Sequence, residues 1–186
     1  MISKLFKRLI PTLVVLVIGG CASYSITEQE MTQYLQDTVN LDQSVGVENV
    51  MYAQVAVEDL KVRIGRADVE RVSIFANTNA QVQLLSMKNM GLELDIEFSA
   101  IPKYDKESGE VFLNSLRLEH FGESSSQQLP PEIKKLLKPA VSMIGYALSK
   151  QPVYKLDSTK VQEALIRSAE PNLVIKNNKL VIELFD

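Results

Sequence analysis

Few of the residues that build disulfides, metal sites or nucleophilic centres occur in this chain. Cys21 is its one cysteine and His120 its one histidine. An internal disulfide is therefore excluded, and too few His and Cys ligands remain for a transition-metal site. The sequence also contains no Gly-x-Ser-x-Gly elbow, no phosphate-binding glycine loop and no zinc-protease helix. We expect no enzyme, no metal and no non-covalent cofactor.

Two sets of polar residues remain as catalytic candidates, and both favour a structural interpretation. His120 extends the face of Leu116 and Leu118 at the end of a predicted strand. Proton transfer also requires a positioned partner, which the sequence does not identify. Three acids over 93–97 alternate with apolar residues, which is typical of a solvated strand face. We therefore predict no catalytic residues.

Clustered positive charge is also missing. The chain carries 20 Lys and Arg against 23 Asp and Glu. Lys4, Lys7 and Arg8 lie in the first 20 residues, so the remainder has 17 basic and 23 acidic side chains and a net charge of about −6. Binding to nucleic acid depends on clustered Lys and Arg that neutralise phosphates. Nucleic acid is therefore not an expected partner.

The first basic and apolar residues have the order of a secretory signal. The apolar run over 9–18 follows Lys4, Lys7 and Arg8. Ten residues are too few to cross a bilayer as a helix, which needs about 20. We therefore predict that residues 1–20 form a signal peptide that is removed.

Ile18-Gly19-Gly20-Cys21 resembles a bacterial lipobox, with Ile18 where Leu is usual. The resemblance implies that the Cys21 thiol receives diacylglycerol and further acyl chains such as palmitate, which makes attachment effectively permanent. The alternatives are an ordinary cleaved signal with an incidental cysteine, or an uncleaved anchor. Ala22 occupies the place where Asp commonly retains Gram-negative lipoproteins in the inner membrane. The resemblance therefore implies the outer membrane, with the domain on its periplasmic face.

The remaining 166 residues have the size of one domain with a substantial core. No internal repeat and no long low-complexity segment divides them. We predict a lipidated tether over 21–25 and a single domain over 26–186. The protein is expected to be a monomer.

The domain is predicted to begin with a short helix. Thr27 and Glu30 have the spacing of a capping box, and Ile26 and Met31 that of a hydrophobic staple. From 52 to 121 the apolar period then changes to two, which indicates strands with one dry and one wet face. Short connections between the strands favour an antiparallel meander. Turn signals are predicted at 65–68, 77–79, 89–91 and 105–109.

Two further patterns complete the predicted fold. A change of phase across Glu58-Asp59 predicts a bulge in the first strand, and hence a curved sheet. The segment after Pro131 predicts one long apolar helix with a kink or break at Pro139, and Asn177-Asn178 predicts a hairpin turn. The fold class is α+β: a curved antiparallel meander wrapped around one long apolar helix, with a short N-terminal helix and a C-terminal hairpin.

Three local stretches and this order of elements resemble the YceB-like outer-membrane lipoproteins. The stretches are Ile64-Gly65-Arg66, the 105–113 segment with Gly109 and Phe112-Leu113, and Gln151-Pro152-Val153-Tyr154-Lys155-Leu156. The family is similar to tubular lipid-binding domains, in which a curved sheet and a long helix leave an apolar groove. The resemblance therefore implies an anchored protein that binds a lipid or other amphiphile without catalysis.

The residues alone leave two interpretations of the helix and sheet faces open: an ordinary packed core, or a lining for a ligand. The alternative function is an accessory or scaffold lipoprotein that docks an envelope or cell-wall enzyme through its surface. The candidate groove-lining residues are Ile133, Leu137, Val141, Ile144, Leu148, Leu94, Ile96, Leu116 and Leu118.

Overall fold

The computed structural model describes residues 23–48, 50–84, 89–124, 129–157, 159–160, 163–164 and 171–183. The elements named below lie within these ranges. In chain order they are β1 Ser23–Thr27, α1 Glu28–Thr38, β2 Gln43–Val47, β3 Met51–Ile64, β4 Val72–Leu84, β5 Met90–Asp105, β6 Glu110–Glu123, α2 Pro131–Lys150, β7 Tyr154–Lys155, β8 Asn172–Lys176 and β9 Lys179–Glu183.

The larger of two sheets is an antiparallel meander. Its strands lie in the order β2-β3-β4-β5-β6-β7, and every neighbouring pair is antiparallel. From β2 to β6, consecutive strands pair in this way because their connections are too short for the crossovers that parallel strands require; β7 follows β6 only after α2. The predicted α+β class and the predicted meander are therefore confirmed.

The predicted bulge in the first long strand is present. The register between β3 and β4 shifts between Val57 and Asp59, where the apolar phase of the sequence changes. Two more shifts occur between β5 and β6, and Ser115 in β6 has a φ of 51°. These irregularities increase local twist and bend the strands.

The turn predicted over 77–79 is wrong, because β4 continues through it to Leu84. Ala76, Thr78 and Ala80 face the core and are buried, whereas Asn77 and Asn79 are exposed. The two asparagines are thus the wet face of a strand whose dry face is made of small residues. Because Ala76, Thr78 and Ala80 are only weakly hydrophobic, the alternation of this strand is hard to recognise in the sequence.

A second, smaller sheet has the strand order β1-β9-β8. The predicted hairpin is confirmed, and Asn177 and Asn178 have φ values of 52° and 57°, which asparagine tolerates. β1 differs from prediction. Ser23 to Ser25, expected to belong to a tether, pair with β9, and Ile26 is fully buried. The strand has too few apolar residues to be recognised from its pattern.

α1 begins as predicted. The Thr27 hydroxyl accepts from the Glu30 amide at 3.2 Å, and the Glu30 carboxylate accepts from the Thr27 amide at 2.8 Å. This reciprocal capping box satisfies amides that the first helical turn leaves without partners. Ile26 and Met31 on either side are fully buried.

α1 is fastened to β3 by polar side chains one helical turn apart. Glu28 accepts from the Ile64 amide at 2.9 Å, and the Thr32 hydroxyl accepts from the Val62 amide at 3.0 Å. Gln36 donates to the Leu60 carbonyl at 3.2 Å. β2 pairs with β3 only as far as Val55, so these side chains provide partners for backbone groups that an edge strand would leave open.

α2 is a single helix from Pro131 to Lys150, so of the kink or break predicted at Pro139 the break is excluded. Pro139 lies on the exposed side of the helix, where water can reach the carbonyl that proline leaves without a donor. α2 contacts β2 and β3 near one edge of the larger sheet and β6 near the other. The helix is amphipathic: one face enters the core and the opposite face meets solvent.

Removing the Glu28 carboxylate tests the fastening of α1. Arg66 donates to Glu28 at 2.7 and 2.9 Å and, with the Ile64 amide, lowers the pKa of Glu28 to about 2. A carboxyl with a depressed pKa in the folded state stabilises the protein above its unfolded pKa, and this stabilisation is lost as the pH falls through the folded pKa. We expect Glu28→Gln to lower the free energy of unfolding at pH 7 by about 2 to 3 kcal/mol.

The pH dependence identifies the cause. Urea unfolding of both proteins should show a stability difference that shrinks between pH 4.5 and pH 2, the interval between the ordinary and folded pKa values. Glu70→Gln, at an exposed position in the neighbouring turn, should leave stability almost unchanged. A difference that stays constant with pH would contradict the electrostatic explanation.

Candidate functional site

The structure brings seven of the nine candidate lining residues into one core between α2 and the larger sheet. The helix side chains and both candidates from β5 are at most 3% exposed. Their mutual contact confirms that the apolar face of α2 covers the apolar face of the sheet. The seven are Ile133, Leu137, Val141, Ile144, Leu148, Leu94 and Ile96.

The other two candidates, on β6, lie at the border of this layer. Leu116 is half-buried against the core, whereas Leu118 is 39% exposed. The prediction that Leu118 belongs to a uniformly dry face is wrong, because the register shifts interrupt the alternation of β6. Val111, Leu113 and Phe121 are the buried residues of this strand.

A buried arginine holds the irregular part of β6 in place. The Arg71 guanidinium, only 7% exposed, donates to the Ser99 hydroxyl at 2.9 Å and to the Ser115 carbonyl at 2.7 Å. Ser99 in turn donates to Glu119. The sequence presents Arg71 as an ordinary member of a wet strand face, so its burial was not predicted. Its fork of donors suits the backbone carbonyls that a strand irregularity exposes.

Gly145 marks the closest approach of α2 to the sheet. A Cβ at this position would lie 2.9 Å from Phe98 Cε1 and 3.1 Å from Leu116 Cδ2. Glycine within a helix normally costs about 1 kcal/mol relative to alanine. Because glycine has no Cβ, α2 can pack closely here against Phe98 of β5 and Leu116 of β6.

α2 is attached to the sheet without polar bonds. Among the residues that the structure describes, no hydrogen bond or ion pair joins a side chain of α2 to a strand; Ser142 and Ser149 donate to carbonyls of their own helix. The one charged group near the seam is Lys134, whose Nζ lies 5.8 Å from the centre of the Phe121 ring. Apolar contact therefore holds this layer, in contrast to α1.

Cys21, the predicted acylation site, lies outside the described residues. The described chain begins two residues later, at Ser23, already paired with Glu183. The Tyr24 hydroxyl lies 2.6 Å from that of Tyr154, and burial raises the pKa of Tyr24. The Tyr34 ring of α1 packs against Tyr154 as well, so β1, where the described residues begin, is joined directly to the rest of the domain.

His120 is exposed at the end of β6, as is Glu93 on β5. Asp95 accepts a hydrogen bond from Ser124 at 2.9 Å. Within the described ranges, no group of three or more His, Cys, Asp or Glu residues could hold a metal ion. In the same ranges, no helix has the length and hydropathy needed to cross a membrane.

Three open cavities of similar size lie away from the α2 layer. One of about 500 Å³ lies between the end of α1 and the β3 bulge, and one of about 460 Å³ lies beside Tyr52 on the outer face of the sheet. The third, of about 560 Å³, adjoins the turn between β5 and β6. None of the three is lined by α2.

Adding a single carbon at residue 145 tests the closeness of the layers. Gly145→Ala would raise helix propensity, yet we expect a net loss of about 1 kcal/mol in the free energy of unfolding because the new carbon overpacks against Phe98. Chemical denaturation measures the change. Ser142→Ala, at an exposed position on the same helix, should be neutral or slightly stabilising. A stabilised Gly145→Ala protein would show that the two layers separate freely at this point.

Comparisons with known proteins agree with the sequence resemblance. The chain is 25% identical over 178 residues to the uncharacterized lipoprotein YceB of Escherichia coli (strain K12), which covers 91% of this chain and 92% of the relative. The values for the protein of the same name from Shigella flexneri are identical. YceB of Salmonella typhimurium is 23% identical over 175 residues, covering 89% and 90%.

A family model also matches most of the chain. A model described as "Protein of unknown function (DUF1439)" matches residues 26–179. The predicted resemblance to YceB-like lipoproteins is confirmed by these relatives. Because the match spans most of the chain, from β1 to the first residue of β9, this protein belongs to the DUF1439 family.

Proposed function

We propose that this protein is a lipid-anchored lipoprotein of the bacterial envelope that holds a lipid or other long apolar amphiphile between the larger sheet and α2. Binding is hydrophobic and includes no covalent step. The observation that supports this proposal best is that α2 covers the sheet through apolar contact. Between its described side chains and the strands there is no hydrogen bond or ion pair. An acyl chain that slides beneath the helix exchanges apolar contacts for similar ones.

The contrast with α1 makes α2 the movable layer. Lifting α1 would break its bonds from Glu28, Thr32 and Gln36 to β3. An intramolecular hydrogen bond contributes about 1 kcal/mol, and more when one partner is charged. Moving α2 away from the sheet exposes apolar surface, which costs about 25 cal/mol per Å². An acyl chain between the helix and the sheet covers this surface again and so offsets the cost.

The position of α2 supports the tubular arrangement implied by the resemblance. The helix contacts β2 and β3 on one side and β6 on the other, with β4 and β5 between them in the sheet. Contacts on both sides of the sheet are what a sheet that curves around this helix would make. The bulge between Val57 and Asp59 provides part of the bend.

The anchor rests on sequence and on relatives. The relatives from three bacteria are named lipoproteins, and Cys21 ends a lipobox-like motif. We propose that residues 1–20 are removed, that Cys21 is acylated, and that Ala22 directs the protein to the outer membrane with its domain in the periplasm. β1 then begins almost at the lipid, so the domain lies close to the bilayer.

Native mass spectrometry of the gently purified mature protein tests ligand binding. We expect an additional mass of one acyl species, removed by organic extraction and restored by adding a long-chain fatty acid, with a rise in melting temperature on restoration. A protein without added mass, whose melting temperature does not respond to fatty acids or phospholipids, would contradict the proposal.

A photoreactive fatty acid separates loading beneath α2 from binding elsewhere. The protein is loaded with diazirine-labelled palmitic acid and irradiated, and the labelled residues are located by peptide mass spectrometry. We expect labels on the buried face of α2, at Leu137 or Ile144, and on Leu94 or Ile96 of β5. The residues that line the three open cavities are the control and should stay unlabelled. Labels confined to those cavities would place the ligand outside this layer.

A separate prediction concerns the anchor. Cys21→Ala should move the protein from the membrane fraction to the periplasmic fraction and abolish incorporation of radiolabelled palmitate, because the single thiol is the acceptor. Ser23→Ala, two residues away, should retain both properties. Membrane retention of Cys21→Ala without label would show that the segment over 1–20 is an uncleaved anchor.

The second candidate function is an accessory lipoprotein that docks an envelope enzyme. It is favoured by exposed apolar side chains at the end of the sheet opposite the turn at Gly65. Photo-crosslinking from Met51, with Lys61 as control position, would capture such a partner in cells. The residues concerned are Val47, Val50, Met51 and Met90, between 37% and 66% exposed.

A further inference from the structure

The exposed face of α2 has a charge opposite to that of the whole protein. The chain has a formal net charge of −3. The solvent side of α2 nevertheless carries four lysines and one acid, Glu132. The four lysines are Lys134, Lys135, Lys138 and Lys150, all of them exposed.

These four lysines differ from Lys155 and Lys176, which form ion pairs. Lys155 lies 2.8 Å from Glu110, and Lys176 lies 2.7 Å from Glu183. For the α2 lysines, no carboxylate in the described ranges lies within ion-pair distance. Two of them instead lie near aromatic rings: Lys134 near Phe121, and Lys150 at 5.4 Å from the centre of the Tyr146 ring. The positive charge of this face is therefore available to an external anion.

Two exposed side chains with apolar surface lie on the same face as these lysines. Tyr146 is 67% exposed and Met143 is 43% exposed. Lys138, Ser142, Tyr146 and Lys150 follow one another at intervals of four residues, which places them in one row along the helix. Lysine stems and a tyrosine ring are side chains that place carbon at a membrane interface while their polar ends stay in water.

One end of this face is linked to β1, the strand that follows the proposed anchor. α2 ends at Lys150, and Tyr154 follows four residues later, a span of at most about 14 Å. The Tyr154 hydroxyl lies 2.6 Å from that of Tyr24, and Tyr24 is three residues after Cys21. The other three lysines lie earlier in the helix, about 18 to 24 Å from Lys150 along its axis.

From these observations we propose that the exposed face of α2 docks on an anionic bilayer surface. Its position rests on the proposed acylation of Cys21, but its charge and composition do not. Anionic lipids attract basic side chains near the surface, and Tyr146 and Met143 contact the headgroup boundary. Docking brings the layer that moves during ligand loading against the source of the ligand.

An environment-sensitive dye at Ser142→Cys in the full chain tests the proposal. Acylation of Cys21 leaves this thiol as the one that reacts. The protein is reconstituted through its anchor in vesicles of phosphatidylcholine alone or of phosphatidylcholine with phosphatidylglycerol. We expect quenching of the dye by headgroup-labelled lipid to rise with phosphatidylglycerol and to fall in 1 M salt, where the Debye length is about 3 Å. Dye at Lys61→Cys, on the outer face of β3, should show neither change.

Charge reversal gives the matched comparison. Lys135→Glu with Lys138→Glu should reduce the ratio of docked to undocked protein by roughly fivefold for each lysine lost. Lys61→Glu with Lys103→Glu changes the net charge equally and should leave docking unchanged. Circular dichroism confirms that both proteins are folded.

Three results would overturn the docking surface: equal quenching in both kinds of vesicle, equal effects of the two charge reversals, or quenching at Ser142→Cys no greater than at Lys61→Cys. These readouts do not require a bound acyl ligand. An empty protein that docks would contradict the proposed ligand and retain the docking surface, and a loaded protein that fails to dock would do the reverse.

Discussion

The apolar contact between α2 and the larger sheet is the interaction on which this structure depends. Strands β3 to β6 present a continuous apolar face, and every such face must be covered to exclude water. Ile133, Leu137 and Ile144 of α2 provide that cover. Since the described part of the interface contains no hydrogen bond or ion pair between helix side chains and strands, its stability depends mainly on the apolar area that is buried.

The two helices contact the larger sheet in different ways, α1 through hydrogen bonds and α2 through apolar side chains. α1 follows the part of β3 that β2 leaves unpaired, and its Glu28, Thr32 and Gln36 provide partners for the backbone there. These bonds have a defined geometry. Gly145 lets α2 approach Phe98 closely, and that contact is apolar. The fold thereby combines one helix that is joined to the sheet by hydrogen bonds with a second that covers the sheet through apolar contact.

Patterns that depend on neighbouring residues were predictable, and patterns that depend on distant ones were not. The capping box at Thr27 and the phase change near Asp59 are local, and both are present. β1 exists because β9, more than 150 residues later, pairs with it. The exposure of Leu118 follows from register shifts against β5, which no local pattern reveals. The lining of the candidate site was therefore predicted best on α2, where helical periodicity alone assigns the faces.

The chemistry of the α2 layer restricts what could occupy it. A polar group buried there would lose its water without gaining a partner, at a cost of roughly 1 to 3 kcal/mol. The hydroxyl of Thr78, in the inner row of β4, already donates to the Leu94 carbonyl, and the neighbouring inner side chains are hydrocarbon. The proposed guest must therefore be apolar along its buried length and keep its polar end outside, near the exposed lysines of α2. An anionic amphiphile satisfies both conditions, and a compact polar metabolite satisfies neither.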